Sequence, residues 1–382
     1  MRKKIAFIKE GNYSHINRSV RDILIRQFPD CEVEEIDVLA DLLRRERTAI
    51  PVNFCHILKL YGPDIISRHK TVRDSFFRTP YIFHKVKRAV QAHLSRGGDD
   101  YLFSIQTQSQ YDASVPGLPH FVYTDHTHLA NLNYPGFDPD ELFDKSWIRL
   151  ERTIYLNATK TFTMSRQGER SVSEQYGCDP RRVTCVYAGS NAVVDPLPLE
   201  NVDYTNQHVL FMGVEWERKG GPELVEAFKL VLKQHPGATL TIVGCSPTVD
   251  LPNCRIVGHV ELEKVPAYFA RASVFCLPSR IEPFGIVCVE AFLHKLPVVA
   301  SRIGALPDFI ADGQTGRLVP PGNIQQLAEA LCDLLANPQT CRRLGEAGCE
   351  LVRERYTWPA VGARLKKEIE QVLDKNVAQK QA

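Results

Sequence analysis

The stretch that decides the fold is residues 277–301, LPSRIEPFGIVCVEAFLHKLPVVAS. A short apolar run ends at Leu277, a polar loop follows, and a helix is expected to begin near Phe284 or Gly285. A second apolar run covers 298–300. Two buried runs that are joined by a loop and a helix predict neighbouring parallel strands, because parallel strands need a long crossover connection.

The same alternation of short apolar runs and longer amphipathic segments extends along the whole chain. It predicts twelve strands in two series, at 5–8, 33–36, 102–105, 121–123, 161–164 and 183–186, and then at 209–212, 239–243, 255–257, 274–277, 298–300 and 316–319. A polar segment with two prolines, 193–207, separates the series and is typical of a linker. We therefore predict an α/β protein with two Rossmann-like doubly wound domains that face a cleft, where such folds bind ligands.

Composition limits the class of protein. The chain has 382 residues, more than one hydrophobic core usually holds, and its 47 Lys and Arg against 45 Asp and Glu leave a net charge of +2. That charge is too small for a general nucleic-acid binder. Eleven cysteines without a CxxC pair do not predict a disulfide scaffold and favour a reducing cytoplasm.

Neither a signal peptide nor a membrane span is expected. The apolar stretch near the N-terminus is broken by Lys9 and Glu10 after a few residues. No run approaches the roughly 18 apolar residues that a membrane span needs. The expected location is the cytoplasm.

The helix after the strand at 274–277 is expected to bind an anion. The first amides of a helix lack internal partners and the helix dipole is positive there, so Phe284, Gly285 and Ile286 would seat phosphate or sugar oxygens. Glu290 falls inside this helix among apolar neighbours, where its carboxylate needs hydrogen-bond donors. Two ribose hydroxyls would supply them, and a Lys or Arg at the helix edge is the alternative.

The segment EPFGIVCVE, in which seven residues separate Glu282 from Glu290, resembles the E-x7-E element of the retaining glycosyltransferases of family four. That family has the two-domain GT-B fold. Similar segments are LFMGVEWERKGGPELVEAF (210–228), GHVELEKVPAYFARASVFCLPS (258–279) and ASRIGALPDFIADGQTGRLVPPGN (300–323). The resemblance covers the C-terminal half and, more weakly, most of the rest. It implies transfer of a hexose from a nucleoside-diphosphate sugar to an acceptor hydroxyl with retention of configuration.

The resemblance also implies roles for four charged residues. Glu282 would contact the transferred hexose, and Glu290 would hold the ribose. Arg218 and Lys219 would neutralise the diphosphate, because fixed cations stabilise the charge that develops on the leaving group. The alternatives are a solvated loop carboxylate at Glu282 and two solvated cations in a polar turn.

Two further glycine-containing segments belong to the expected donor site. Gly213 would let the backbone approach the ligand closely. Many relatives have an Arg directly after the corresponding glycine, whereas this chain has Val214, so Arg218 and Lys219 alone would bind the diphosphate. Gly258, His259 and Val260 match a loop that contacts the base through its backbone. Such contacts leave the base undetermined, with a UDP-hexose as the first guess, and His259 is equally compatible with a plain surface position.

The first strand leads into KEGNYSHINRS, which lacks the GxGxxG fingerprint of dinucleotide oxidoreductases. Gly11 and Asn12 fall where the family brings a glycine-containing loop toward the donor phosphate and the acceptor. The alternative is a simple turn in which Asn17 or Ser19 caps the next helix.

The segment HFVYTDHTHLANLNYPG, residues 120–136, resembles the family element that brings a His, often beside an Asp, onto the donor hexose. Asp125, His126 and His128 are the candidates, and spacing does not choose among them. A zinc site is the alternative, although His-x-His with one Asp lacks a clear further ligand.

The family implies three regions with distinct tasks. Residues 1–195 would bind the acceptor, residues 196–360 would bind the nucleotide sugar, and a helix at 361–382 would pack back toward the N-terminal domain. The resemblance further implies front-face transfer in which a donor phosphate oxygen takes the acceptor proton, with no cofactor and no catalytic metal. A glycan, a lipid-linked sugar or a small molecule would be the acceptor.

Other functions on the same scaffold are a nucleotide-sugar epimerase, a sugar phosphorylase and a partner subunit that binds a nucleotide sugar without catalysis. Release of nucleoside diphosphate together with a new glycoside would distinguish transfer from these.

A basic segment, residues 68–96, could contact the inner membrane surface. It has eight cationic residues against the single acid Asp74, with aromatic residues interleaved, and basic faces with aromatic anchors bind anionic lipid. The alternative is a solvated charged helix beside the core. The expected aromatic anchors are Phe76, Phe77, Tyr81 and Phe83.

Overall fold

The computed structural model describes residues 2–11, 16–44, 46, 48–96, 100–190 and 202–381, with side chains to 375. Asn12 and most of the predicted linker lie outside the described residues. The chain divides into two compact units. The first unit comprises Met1–Tyr187 with Val361–Ala382, and the second comprises Ala188–Ala360.

The first unit is built on a six-stranded sheet in which every strand pairs in parallel with its neighbours. Its strands are β1 (Lys4–Lys9), β2 (Glu32–Asp37), β3 (Tyr101–Thr107), β4 (His120–Thr124), β5 (Lys160–Thr163) and β6 (Val183–Cys185). Their order is β2-β1-β3-β4-β5-β6. The chain reverses its direction of growth between β1 and β3, and ligands of doubly wound folds bind outside the carboxyl ends of strands at such a switch point.

The helices of the first unit connect these strands and cover the sheet. They are α1 (Ile16–Gln27), α2 (Ala49–Ile66), α3 (Val72–Ser75), α4 (Pro80–Arg96), α5 (Lys145–Asn157) and α6 (Arg166–Arg170). The last helix of the chain, α13 (Trp358–Gln381), belongs to this unit from Val361 on. It is attached by an ion pair between Lys160 and Glu368 and by a hydrogen bond of 3.2 Å from Arg364 Nε to the Val186 carbonyl.

The second unit contains another six-stranded parallel sheet, in the order β12-β11-β10-β7-β8-β9. Its strands are β7 (His208–Met212), β8 (Thr239–Val243), β9 (Cys254–Gly258), β10 (Val274–Leu277), β11 (Val298–Ser301) and β12 (Gly316–Val319). Its helices are α7 (Gly221–Gln234), α8 (Val265–Phe269), α9 (Ile286–Leu293), α10 (Leu306–Phe309), α11 (Ile324–Leu335) and α12 (Pro338–Arg355). The switch point of this sheet lies between β7 and β10.

The two sheets confirm the predicted doubly wound α/β class. The apolar runs form the sheet cores because both faces of a parallel sheet are covered by helices. In the second unit the side chains of β10 and β11 are fully buried, from Val274 to Leu277 and from Val298 to Ala300. No disulfide joins the cysteines that the structure describes. Within the described residues, none of the helices has the length and the apolar character to cross a bilayer.

The aromatic anchors that the sequence suggested for residues 68–96 are wrong for two side chains at least. Phe77, in the turn between α3 and α4, and Phe83, in α4, point into the core and are 6% and 1% exposed. Phe83 contacts Trp147 with ring centroids 6.1 Å apart, and Phe77 contacts Tyr111 at 6.2 Å.

Three of the basic side chains in the same segment are already paired. Lys70 Nζ lies 2.6 Å from Asp64, Lys87 Nζ lies 2.5 Å from Asp112, and Lys85 pairs with Glu46. These pairs reduce the positive charge that the segment presents to solvent.

Candidate active site

An ion pair marks the switch point of the second sheet. Lys219 follows β7 and Glu282 follows β10, and their Nζ and Oε2 atoms lie 2.5 Å apart. The two side chains are only 13% and 5% exposed. Ser279 Oγ donates a second hydrogen bond of 3.0 Å to the same carboxylate oxygen. The two predicted residues are therefore brought together, and the alternative of a solvated loop carboxylate at Glu282 is not found.

Close backbone packing holds the two loops of this pair together. Gly220 has a φ of +74°, and a Cβ at this position would lie 1.9 Å from the Pro278 carbonyl oxygen. Only glycine fits such an approach. The Arg280 amide donates to the Arg218 carbonyl at 2.9 Å, and Arg218 Nη1 donates to the Ile281 carbonyl at 2.8 Å. These contacts between the two loops fix the positions of Lys219 and Glu282.

Arg218 has a different environment from Lys219. Its guanidinium forms an ion pair with Glu215 in addition to its bond with the Ile281 carbonyl. Its side chain is 30% exposed, so it is less enclosed than Lys219. Arg218 therefore bridges the two loops, and Lys219 provides the enclosed cation.

The helix α9 begins as predicted, after a left-handed glycine. Gly285 precedes the first helical residue, Ile286, with a φ of +86°. A Cβ at Gly285 would lie 2.7 Å from Leu306 Cδ2, so a larger residue would be strained and crowded. Phe284 is buried and contacts Phe309 at a centroid distance of 5.9 Å. Apolar packing therefore fixes the position of the first amides of α9.

Glu290 lies one turn into α9 and is buried, with 9% of its surface exposed. Burial raises the pKa of its carboxyl to about 7. Among the described residues, no hydrogen bond or ion pair to this carboxylate contributes to the shift, and a Lys or Arg partner at the helix edge is not found. A buried carboxylate without donors is costly and calls for a ligand or a proton.

The remaining predicted donor residues lie at the carboxyl ends of β7 and β9. The Gly213 amide follows β7 and donates to the Val243 carbonyl at 2.9 Å. The Gly258 carbonyl accepts from the Gly244 amide at 2.8 Å. His259 is exposed and Val260 half-buried, which fits a loop that offers its backbone.

Sequence reasoning missed two features of this site. Ser279 donates a hydrogen bond to Glu282. Its position three residues before Glu282 in the sequence could have indicated this contact. Arg280 Nε donates to Glu223 Oε1 at 2.6 Å and fastens the same loop to the first turn of α7. Nothing in the local sequence linked Glu223 to Arg280, because 57 positions separate them.

In the first unit, Gly11 lies at the switch point directly beyond β1. Its amide donates to Asp37 Oδ2 at 3.1 Å, and its carbonyl accepts from Asn17 Nδ2 at 2.8 Å. Asn17 thus supports the turn through its side chain, and Thr107 Oγ1 in turn donates to Asn17 Oδ1 at 2.7 Å.

A buried carboxylate fastens the loop that follows β4. Glu151 Oε1 accepts from the His128 amide and from Tyr155 Oη, each at 3.0 Å, and Tyr176 donates to the other oxygen. Tyr176 Oη also accepts from the Leu129 amide at 3.0 Å. The loop that carries the predicted sugar contacts is therefore held by a hydrogen-bonded network.

The three candidates in this loop differ in their surroundings. His128 is 9% exposed, and its Nε2 accepts a hydrogen bond of 2.8 Å from the Phe143 amide. Burial, assisted by the nearby Arg78, lowers the pKa of His128 to about 3, so this imidazole stays neutral. Asp125 and His126 are half-buried, and His126 Nε2 lies 2.9 Å from Asn131 Oδ1. Among the described residues, no group of three or more His, Cys, Asp or Glu side chains is arranged to hold a metal ion.

A family model matches part of the second unit. Residues 206–337 match the model described as glycosyl transferases group 1. Over 166 residues the chain is 32% identical to a mannosyltransferase of Mycolicibacterium smegmatis described as GDP-mannose-dependent alpha-(1-6)-phosphatidylinositol monomannoside mannosyltransferase. That match covers 39% of this chain and 44% of the mannosyltransferase. The chain spans about half the length of the curated relatives that it matches.

Solved structures match nearly the whole chain. Sucrose-phosphate synthase from Thermosynechococcus elongatus has a TM-score of 0.70 and 20% identity, covering 98% of this chain and 100% of that one. Anabaena Alr3699/HepE in complex with UDP-glucose has a TM-score of 0.60 and 16% identity, covering 97% and 99%. Likeness at this level of identity is evidence of the fold. The chain thus has the predicted GT-B fold, and residues 206–337, which match the model of glycosyl transferases group 1, contain Lys219, Glu282 and Glu290.

Proposed function

We propose that this protein is a retaining glycosyltransferase that moves a hexose from a nucleoside-diphosphate sugar to an acceptor hydroxyl. The observation that carries the proposal is the enclosed Lys219–Glu282 pair at the switch point of the second sheet. It lies beside a helix in which Glu290 is buried without a partner among the residues that the structure describes. The pair offers a fixed cation, the helix start offers amides for phosphate oxygens, and Glu290 offers an acceptor for hydroxyl groups.

The leaving group is the part of the reaction that needs positive charge. Breaking the sugar–phosphate bond leaves a nucleoside diphosphate, whose added charge Lys219 would stabilise together with the amides around Gly285. Glu282 forms an ion pair with Lys219. Arg218 would support the loop and add charge at its edge. The protein's own cations are thus proposed to perform the reaction without a catalytic metal or a cofactor.

The ribose is proposed to bind Glu290. Two vicinal hydroxyls would supply the hydrogen bonds that the carboxylate lacks, and the pKa of about 7 shows how unfavourable the unpaired charge is. The amides and carbonyls of Gly258, His259 and Val260 are proposed to contact the base.

The transferred sugar and the acceptor are proposed to use side chains of the first unit. Asp125 and His126 would orient sugar hydroxyls, and Gly11 and Asn12 would lie on the acceptor side. We assign His128 to support of the loop, because its Nε2 already accepts the Phe143 amide and its ring stays neutral.

The relatives differ in the nucleotide sugar that their descriptions name. Alr3699/HepE was solved with UDP-glucose, whereas the mycobacterial mannosyltransferase is described as GDP-mannose-dependent. A UDP-hexose is the first donor to test, with GDP-mannose second. The acceptor would be a glycan, a lipid-linked sugar or a small molecule.

The test is a product assay with purified full-length protein, a panel of UDP-hexoses and GDP-mannose, and cell extract or its lipid fraction as acceptor source. Transfer predicts equal amounts of free nucleoside diphosphate and of a new glycoside by mass spectrometry. An isomerised donor without nucleoside diphosphate would instead identify an epimerase. A product containing sugar 1-phosphate would identify a phosphorylase, and donor binding without turnover on every acceptor would contradict an enzymatic role.

A further inference from the structure

Gln108, the first residue after β3, combines a strained backbone with an unsatisfied side chain. Its φ of +69° lies in the left-handed region, which favours glycine. Its side-chain Oε1 is buried and, within the described residues, has no hydrogen-bond partner. Each of these features is costly for the folded unit, and strained residues of this kind concentrate at sites that bind ligands.

Hydrogen bonds from neighbouring strands impose this backbone conformation. Gln106 Nε2 donates to the Gln108 carbonyl at 2.8 Å, and the Gln108 amide donates to the Tyr123 carbonyl of β4 at 3.0 Å. Both bonds use the main chain of Gln108. The unit therefore fixes the position of this residue and leaves the acceptor capacity of its carboxamide oxygen unused.

Glu10 occupies the corresponding position beyond β1. The parallel register pairs Ile8 with Gln106, so Glu10 and Gln108 each lie two residues past the same paired position. Glu10 is half-buried, and burial is the main reason that the pKa of its carboxyl is raised. Among the described residues, no hydrogen bond to this carboxylate contributes to the shift.

The two cations that act on Glu10 do not satisfy its carboxylate. Arg73 and Lys9 favour the charged form of Glu10, but burial outweighs them and the pKa stays raised. Lys9 Nζ lies 3.1 Å from Asp37 and 3.2 Å from Glu35, so its charge is already used. Arg73 is exposed and acts on Glu10 through its charge alone. Glu10 therefore keeps the capacity to accept hydrogen bonds.

Tyr111 joins the ends of the two strands. Its hydroxyl oxygen lies 3.1 Å from the Thr107 carbonyl oxygen and 3.3 Å from the Ile8 carbonyl oxygen. Burial raises the pKa of Tyr111, and the nearby charge of Glu10 raises it further. Glu10 and Gln108 thus flank the switch point between β1 and β3, where doubly wound folds bind ligands.

The same edge of the sheet continues into the loop that follows β4. Ser109 Oγ donates to the His126 carbonyl at 3.3 Å. The strand order β1-β3-β4 places Gln108 between Glu10 on one side and the loop of His126 on the other. Glu10 and Gln108 therefore extend the set of polar groups that we propose to orient sugar hydroxyls.

The chemistry of the two side chains selects the ligand. A carboxylate and a carboxamide oxygen both accept hydrogen bonds, so both need donors. Hydroxyl groups of a sugar are donors. An ionised phosphate or carboxylate offers only acceptors, and the charge of Glu10 would repel it.

We propose that Glu10 and Gln108 bind hydroxyl groups of an uncharged sugar ring in the acceptor. Glu10 accepts from one hydroxyl, and Gln108 Oε1 accepts from another. This assignment rests on the proposed glycosyl transfer and narrows its acceptor, because the ring at the switch point of the first sheet then carries neither phosphate nor carboxylate.

The experiment measures sugar binding by the full chain with ligand-observed NMR titration, in the absence and in the presence of UDP. The neutral probes are the methyl α-glycosides of glucose, mannose and galactose. The anionic probes are glucose 6-phosphate, mannose 6-phosphate and glucuronate. Wild type is expected to bind at least one neutral glycoside, with a Kd at least ~10-fold lower than that of the matching anionic sugar.

Two variants test the assigned side chains. Glu10→Gln and Gln108→Gly should each raise the Kd of the neutral glycoside by at least ~10-fold. Gln108→Gly also relieves the left-handed backbone, so its Tm should equal or exceed that of wild type, which a merely structural role of the side chain would not give. The controls are Glu32→Gln, an exposed carboxylate of β2, and Arg68→Gly, an exposed residue with a φ of +63°; both should bind the glycoside as wild type does.

Three results would overturn the proposal: no binding of any neutral glycoside, tighter binding of the anionic sugars, or glycoside binding that survives in both variants. A raised Kd for UDP-glucose in Gln108→Gly, with glycoside binding unchanged, would assign Gln108 to the donor instead. Release of nucleoside diphosphate with cell extract as acceptor is measured separately. Transfer without binding of neutral glycosides would therefore overturn this inference and leave the proposed function standing.

Discussion

Two buried glutamates, one in each unit, differ in what surrounds them. Glu151 of α5 is 2% exposed and accepts hydrogen bonds from the His128 amide, Tyr155 and Tyr176. Glu290 of α9 is 9% exposed, and burial is the sole cause found for its raised pKa. Burial raises the pKa of both carboxyl groups, but among the described residues only Glu151 receives hydrogen bonds from its own unit.

The difference separates a carboxylate that is hydrogen-bonded within its own unit from one that we propose to bind the ribose. Glu151 uses its donors to fasten the loop of Asp125 and His126, so its role is complete within the folded unit. Glu290 keeps its acceptor capacity, and the neighbouring Glu282 lies between these cases, with Lys219 and Ser279 as donors. Substitutions that leave size unchanged can test each assignment, because they alter only charge and hydrogen bonding.

The largest effect is expected at Lys219. Lys219→Ala removes the enclosed cation that we propose to stabilise the leaving group, and it should lower kcat by at least ~100-fold. Lys229→Ala, at an exposed lysine of α7, should keep wild-type turnover. Steady-state assays with and without chelator make the comparison. Strong loss of wild-type activity in EDTA would contradict the assignment of the leaving-group charge to protein cations.

Glu282→Gln is expected to act on turnover more than on binding. The hexose changes charge and shape on the way to the transition state, so loss of its contact should lower kcat by roughly 10- to 1000-fold with a smaller change in donor KM. Donor saturation kinetics measure both constants, and Glu226→Gln on the surface of α7 is the control. Unchanged kcat would place the transferred sugar elsewhere.

Glu290 should make the free energy of unfolding depend on pH. Its folded-state pKa of about 7 lies above the ordinary 4.5, so the folded protein binds more protons between these values. The stabilising contribution of Glu290 is fully present below about pH 4.5. As pH rises to about 7 it is lost, and the free energy of unfolding falls by at most about 3 kcal/mol. Denaturant unfolding across this range should show that difference between wild type and Glu290→Gln. Parallel curves for the two proteins would mean that the carboxylate is compensated.

Replacement of Glu by Gln should destabilise the protein at Glu151, in contrast to Glu290. Glu151→Gln replaces an acceptor by a donor that faces hydroxyl and amide donors, and it should lower the free energy of unfolding by about 1–3 kcal/mol at pH 8. Glu290→Gln at that pH should leave stability unchanged or raise it. Glu174→Gln, exposed in the same unit, controls for loss of charge. An equal loss in the free energy of unfolding for Glu290→Gln and Glu151→Gln would contradict the contrast between the two glutamates.

The smallest effect is expected on donor binding at Glu290. The ribose does not change in the reaction, so Glu290→Gln should raise donor KM by about tenfold while kcat falls less. Kinetics on Glu290→Gln and Glu282→Gln with one donor preparation give the comparison. A variant pair in which Glu290→Gln mainly loses kcat and Glu282→Gln mainly loses affinity would reverse the two assignments.

Local sequence sufficed for the sheets and for the start of α9. All twelve strands were predicted. The central strands appear as continuous apolar runs because both of their faces are buried, whereas the edge strands β2 and β9 are partly polar and exposed. Gly285 before Ile286 likewise follows from local backbone geometry. The two glutamates of the E-x7-E element were found by resemblance and by the apolar surroundings of Glu290.

Contacts between distant segments could not be predicted in the same way. The Lys219–Glu282 pair joins positions 63 residues apart, and Glu223–Arg280 joins positions 57 apart. Phe77 and Phe83 look like exposed anchors in a basic segment, yet the packing of α3 and α4 buries them. Ile50, Phe54 and Leu58 look like core residues, yet α2 presents them to solvent.

Periodicity and residue type therefore determined which segments become strands and helices, since those choices depend on near neighbours along the chain. Which carboxylate is paired, and which apolar side chains remain exposed, was decided only by tertiary structure. The reason is physical: hydrogen-bond satisfaction and burial depend on atoms that the fold brings within a few ångströms, and an isolated helix sequence does not specify what packs against each of its faces.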